Sequence, residues 1–214
     1  MRIFLFILGA SLASATLCLA YRLNLRLSLS GFSYCDNCRQ PIAPISLVPV
    51  FGWLMSFGRC AICHQRIAIK YPIIEFAYGM LFLTVDDYRV LLVFILLLFC
   101  SEEDSFNQTS SSWILLPLPF LFLENLRDVS PVFLVSLFIF LYFSVILTAQ
   151  LGEGDIPVLL VLLSMLSVHY FLLAVILACI ATIAYSLFSG NKKTAFIPFL
   201  TYGAMISQII FQFG

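Results

Sequence analysis

The chain has 214 residues, of which 62% are hydrophobic and 10% charged, with a mean hydropathy of +1.07. That excludes a soluble globular domain, in which about a quarter of the residues are charged. Eleven basic and eleven acidic residues cancel, so no net field recruits nucleic acid, and the information lies in where each sign falls.

The first apolar run, Ile3 to Tyr21, is near the roughly 20 residues that a membrane helix needs. No A-x-A-like site followed by a polar segment closes it, so the pattern predicts a retained span rather than a secretory signal. Residues 22–71 are far more polar and form the one extended segment outside the membrane. Further apolar runs then follow at 72–85, 90–100, 113–123, 132–149, 156–168, 171–188 and 195–213. Several are shorter than a bilayer is thick, which helices tolerate when neighbours shield them and their ends line a wet cavity. The expectation is an all-α polytopic membrane protein of about eight transmembrane helices. Its segments are a first helix (1–21), a small insert (22–71) and a membrane-embedded core (72–214).

Orientation follows from Lys and Arg. Residues 22–71 hold six of the eleven basic residues (Arg22, Arg26, Arg39, Arg59, Arg66 and Lys70) against one acid, Asp36, which places the insert in the cytoplasm. Counting crossings from there puts residues 86–89 and 124–128 outside. It puts residues 101–112, 152–155 and the Lys192-Lys193 pair inside.

Within the insert, "CDNC" (35–38) and "CAIC" (60–63) are two Cys-x-x-Cys knuckles separated by 21 residues. Four thiolates at such spacing suit a tetrahedral metal site, and Zn²⁺ accepts four sulfurs without redox side chemistry. A reducing cytoplasm disfavours two disulfides, and the doubling of the motif disfavours a thiol-redox pair. Cys35, Cys38, Cys60 and Cys63 are therefore the predicted ligands of a structural zinc. His64 reads as a solvated neighbour, and Cys18, Cys100 and Cys179 as apolar filling.

Toward the C-terminus, "LGEGD" (151–155) sets a Gly-flanked Asp at the edge of an apolar run. Gly152 and Gly154 allow a sharp bend and close approach of another chain. Pro157 suits the first turn of a following helix, whose dipole favours an ionised Asp155. Asp155 then reads as the base of a carboxylate pair. Two close carboxylates hydrolyse a peptide bond because they do not both ionise easily, so one takes a proton from water while the other polarises the carbonyl.

The stretch "CDNCRQPIAPISLVPVFGWLMSFGRCAICHQRIAIKYPIIEFAYGMLF", with "LAYRL" (19–23), "LGEGD" and "IPFL" (197–200), resembles the bacterial type IV prepilin leader peptidases, membrane aspartyl proteases with a Gly-x-Gly-Asp motif. The resemblance implies cleavage of the short basic leader of prepilin-like proteins (pilus, competence or type II secretion pseudopilins) at the cytoplasmic membrane face. The cut follows a Gly and precedes a hydrophobic segment. It implies Asp155 as one catalytic residue, supported by Gly152 and Gly154. The other lies 13 residues before the proline of a Leu-Pro-Leu helix, which from Pro117 gives Asp104, with Glu102 and Glu103 as neighbouring candidates. Here "SEED" and "SFNQTSSS" replace the family's usual residues around that Asp. Many relatives also methylate the new N-terminus with S-adenosylmethionine. Glu75, in "YPIIE", is the candidate for a substrate or methyl-transfer role, beside the plainer reading of a helix cap. Two other classes stand beside this one. A transporter would place charges in mid-span, and a non-catalytic zinc-containing assembly factor would need neither Asp.

Overall fold

The computed structural model describes residues 2–29, 31–108, 110–126, 129–130, 135–136, 139, 152–189 and 194–213. The predicted run 132–149 lies almost wholly outside the described residues, as do Asp128 and the Lys192-Lys193 pair. Among the described residues the regular elements are helical, with two isolated β-bridges. Two helices among the described residues, Arg2–Asn24 and Val168–Ser189, are long and apolar enough to cross a membrane. The chain divides into two compact units, residues 1–86 and 87–214.

In the first unit, helix α1 (Arg2–Asn24) packs on α3 (Lys70–Thr84). The buried side of α1 is made of Ala10, Ala13, Leu17 and Ala20, and that of α3 of Ile74, Tyr78, Leu81 and Phe82. Small residues on one face let two helices approach closely where no water drives them together. Between them the chain makes a 3₁₀ turn (Pro44–Leu47) and a five-residue helix, α2 (Phe51–Met55).

The second unit begins with α4 (Tyr88–Asn107). Asp87 caps it by accepting the Arg89 backbone N–H at 2.8 Å, satisfying one of the free donors of the first turn. The apolar run 113–123 is not a continuous α-helix. It forms 3₁₀ turns at Ser112–Leu115 and Leu118–Phe122, then a short helix α5 (Leu123–Leu126). Pro117 and Pro119 remove backbone donors and crowd the preceding turn, which breaks α-helical hydrogen bonding.

Helix α6 (Asp155–Met165) buries Pro157, Val158, Leu159, Val161, Leu162 and Leu163 and leaves Leu160 exposed. Helices α7 (Val168–Ser189) and α8 (Ile197–Phe213) pack together, and α8 also lies on α4. α7 and α8 come close at Gly203, where an added Cβ would stand 2.5 Å from the Ala174 carbonyl oxygen. The outer side of α7 exposes Ile176, Ile180, Ile183 and Leu187.

Candidate functional site

Asp104 sits on the last turn of α4, continuing the stripe Val93, Leu97, Cys100 at helical spacing. Those three side chains are fully buried, so the same face carries Asp104 inward. Its Oδ2 accepts the backbone N–H of Ile197, the first residue of α8, at 3.2 Å. Asp155 is the first residue of α6, and its Oδ2 accepts the Gly152 N–H at 3.0 Å. The Asp155 N–H returns to the Gly152 carbonyl at 3.0 Å, closing a tight turn. The Ile197 side chain also lies beside Gly154, the residue before Asp155, with Cδ1 3.8 Å from where a Cβ would stand.

The two carboxylates are 9% and 8% exposed, and both lie outside the apolar runs 90–100 and 156–168. Burial pushes the Asp155 carboxyl up to about 6, against the pull of the Gly152 N–H and with help from the charge of Asp104. Burial also raises Asp104, opposed by the N–H groups of Ile197 and Phe196. The helix start favours ionised Asp155, but desolvation outweighs it. Such a pair keeps a proton to higher pH than isolated carboxylates do.

The neighbouring acids are placed differently. Glu103 accepts the Ser111 N–H at 2.9 Å and the Ser111 hydroxyl at 3.4 Å, tying down the loop after α4. Glu102 is buried at 6% exposure, and Glu153 is exposed in the turn before α6. Two serines of that loop escaped the sequence reading. The hydroxyls of Ser110 and Ser112 are buried without a hydrogen-bond partner among the described residues, and they flank Gly154. Only the departure "SFNQTSSS" from the resembled pattern marked their position.

The four knuckle cysteines form a second cluster, in the first unit. Their sulfurs all lie within 4.8 Å of one another, with Cys35 to Cys63 at 3.7 Å and Cys38 to Cys60 at 4.0 Å. Four sulfurs about 2.3 Å from a common centre would be about 3.8 Å apart, so the set fits a tetrahedral Zn²⁺. The knuckles are built alike. Cys35 N–H bonds the Gln40 carbonyl at 3.0 Å and Cys60 N–H the Gln65 carbonyl at 2.9 Å. Arg39 and His64, each following the second cysteine of its knuckle, take a left-handed backbone, and the His64 side chain is exposed. The Gln65 N–H and the Asn37 side chain draw the Cys63 thiol down to about 6 despite desolvation. The N–H groups of Cys63 and Ile62 lower Cys60. Main-chain donors aimed at sulfur favour the thiolate that a metal requires.

Glu75, on α3, is 8% exposed, and its Oε2 accepts the Val50 N–H at 2.7 Å. Val50 precedes α2 with φ +64°, a conformation that a β-branched residue reaches only under constraint. The carboxylate thus holds the chain between the knuckles against α3.

Residues 7–86 match the family model described as Bacterial Peptidase A24 N-terminal domain. Residues of the chain are 42% identical over 50 positions to the prepilin leader peptidase/N-methyltransferase of Neisseria gonorrhoeae, covering 23% of this chain and 18% of that protein. The Bacillus subtilis protein of the same name is 35% identical over 79 residues, 36% of this chain and 32% of its own. The type 4 prepilin-like proteins leader peptide-processing enzyme of Escherichia coli is 37% identical over 51 residues, 24% and 19%. The alignments thus span less than a third of each relative's length, and the family match ends before Asp104 and Asp155. No solved structure matches.

Proposed function

We propose, from the match of residues 7–86 to the Bacterial Peptidase A24 N-terminal domain and their likeness to prepilin leader peptidases, that the chain is a membrane aspartyl endopeptidase that removes the basic leader of prepilin-like proteins. The observation that carries this reading is the pair of buried carboxylates, Asp104 and Asp155, gathered around Ile197. A solvated helix cap, the plainer account of an interfacial Asp, would leave both exposed.

In the proposed reaction the pair shares one proton. The ionised member takes a proton from water as the water attacks the scissile carbonyl, and the protonated member donates to the carbonyl oxygen. The proton taken from water then passes to the leaving amine as the C–N bond breaks, and the collapsing diol returns a proton to the carboxylate that donated one. The Gly152 N–H fixes Asp155, and the Ile197 N–H fixes Asp104. The apolar exterior of α1 and α7 suits a lipid surround, and the basic insert favours a cytoplasmic active site. Zinc on Cys35, Cys38, Cys60 and Cys63 would be structural, since four thiolates leave no open coordination position.

The relatives' name includes N-methyltransferase, and we extend the proposal to methylation of the new N-terminus, with S-adenosylmethionine as the methyl source. Glu75 is the candidate residue for that step.

The test is cleavage of a synthetic peptide with a basic leader, a Gly and a hydrophobic segment. Asp104→Asn and Asp155→Asn should each lower the rate by about 10² to 10⁴. The double variant should be little worse than either single one, because groups acting as a unit are not additive. Multiplicative losses would contradict a shared proton.

A further inference from the structure

Ser110, and Ser112 at the start of the 3₁₀ turn Ser112–Leu115, are polar groups after α4 that the carboxylate pair does not use. The Ser112 side chain is fully buried, and the hydroxyls of Ser110 and Ser112 have no hydrogen-bond partner among the described residues. A buried hydroxyl without a partner is costly, and native structures keep one where something else supplies the bond. Both hydroxyls converge on Gly154. A Cβ there would stand 2.8 Å from Ser110 Oγ and 3.4 Å from Ser112 Oγ. The position therefore has to be Gly to leave the hydroxyls where they are. Glu103 ties down the residue between them through the Ser111 N–H at 2.9 Å.

We propose that the hydroxyls of Ser110 and Ser112 bind the main chain of the peptide substrate over Gly154, next to Asp155. This rests on the peptidase reading above. An extended peptide presents alternating N–H and C=O groups, and a hydroxyl both donates and accepts, so the pair suits a main chain regardless of its side chains. The missing side chain at 154 leaves room for the two hydroxyls next to Asp155. Polar residues after Asp104 thus take substrate contact, with Glu103 as the positioning residue behind them.

The experiment compares Ser110→Ala/Ser112→Ala with the parent on the synthetic leader peptide, in the purified full chain. The double variant should raise KM and lower kcat/KM by roughly four- to a hundredfold, each neutral hydrogen bond accounting for about two- to tenfold. Ser110→Thr, which keeps a hydroxyl, should retain most activity. In the Asp155→Asn background, which binds without cutting, the two alanines should weaken peptide binding by a similar factor. Unchanged kcat/KM, or a loss with unchanged affinity in that background, overturns the proposal and leaves the aspartyl reading intact. Full activity of Asp155→Asn overturns the peptidase reading itself. If the double variant unfolds, Ser110→Ala, at a partly exposed position, takes its place, and a raised KM supports the proposal while an unchanged kcat/KM overturns it.

Discussion

Replacing Asp155 with Asn should stabilise the protein at neutral and alkaline pH while destroying its proposed activity. The Asp155 carboxyl is raised from 3.8 to about 6, chiefly by burial. In the unfolded chain it ionises near 3.8. Below that value both states are protonated and the site costs nothing. Between 3.8 and about 6 the folded state holds a proton that the unfolded chain has released, and the cost grows with pH. Above about 6 both states are ionised and the full cost of burying the charge applies. A rise of that size corresponds to a ceiling of about 3 kcal/mol, at about 1.4 kcal/mol per factor of ten in proton affinity. The Asn amide oxygen can still accept the Gly152 N–H, so the substitution removes the charge and keeps the bond. For a chain of this size such a gain raises the melting temperature by roughly 6–12 °C at most. Melting of parent and variant in detergent from pH 4 to 8 reads it directly. The gap should be widest at pH 8 and close toward pH 4. A variant no more stable than the parent at pH 8, or a gap that widens on acidification, would refute the claim that Asp155 is a destabilised buried carboxyl.

Other outcomes follow from the same geometry. The purified chain should carry about one zinc, and Ser at Cys35, Cys38, Cys60 or Cys63 should release it and loosen the insert to limited proteolysis, since structural metal supplies folding energy; a metal-free preparation with all four thiols oxidised would contradict this. Gly203→Leu should destabilise the α7–α8 contact by about 1–3 kcal/mol, seen as a lower melting temperature, because the Ala174 carbonyl leaves no room for even one methyl group. A cysteine placed at Gln40 should resist an impermeant external reagent in intact cells while one at Asp87 reacts; the reverse pattern would invert the topology.

How far the sequence foretold this arrangement differs from residue to residue. The knuckles were legible because eight residues of local turn, from Tyr34 to Pro41 and again from Arg59 to Arg66, build each half of the cysteine cluster. The start of α6 at Asp155 was legible from Gly154 and Pro157. The run 113–123 read as a span on hydropathy alone, and the two prolines turned it into 3₁₀ segments. What the pattern could not reveal depends on contacts distant in sequence. These are the Ile197 N–H on Asp104, the Glu75 carboxylate on Val50, and the serine hydroxyls over Gly154. The balance of burial against the helix dipole at Asp155 belongs with them, since the dipole is visible locally and the desolvation is not.

On this account it is Asp104, and not its neighbour Glu103, that works with Asp155. Intact-mass spectrometry of a prepilin co-expressed with each variant tests that pairing most directly. With the parent and with Glu103→Gln the leader should be gone, because a glutamine can still accept the Ser111 N–H. With Asp104→Asn and with Asp155→Asn the full-length prepilin should remain. Complete processing by Asp104→Asn together with an intact leader in Glu103→Gln would move the first catalytic position to Glu103, and complete processing by Asp155→Asn would contradict the aspartyl account as a whole.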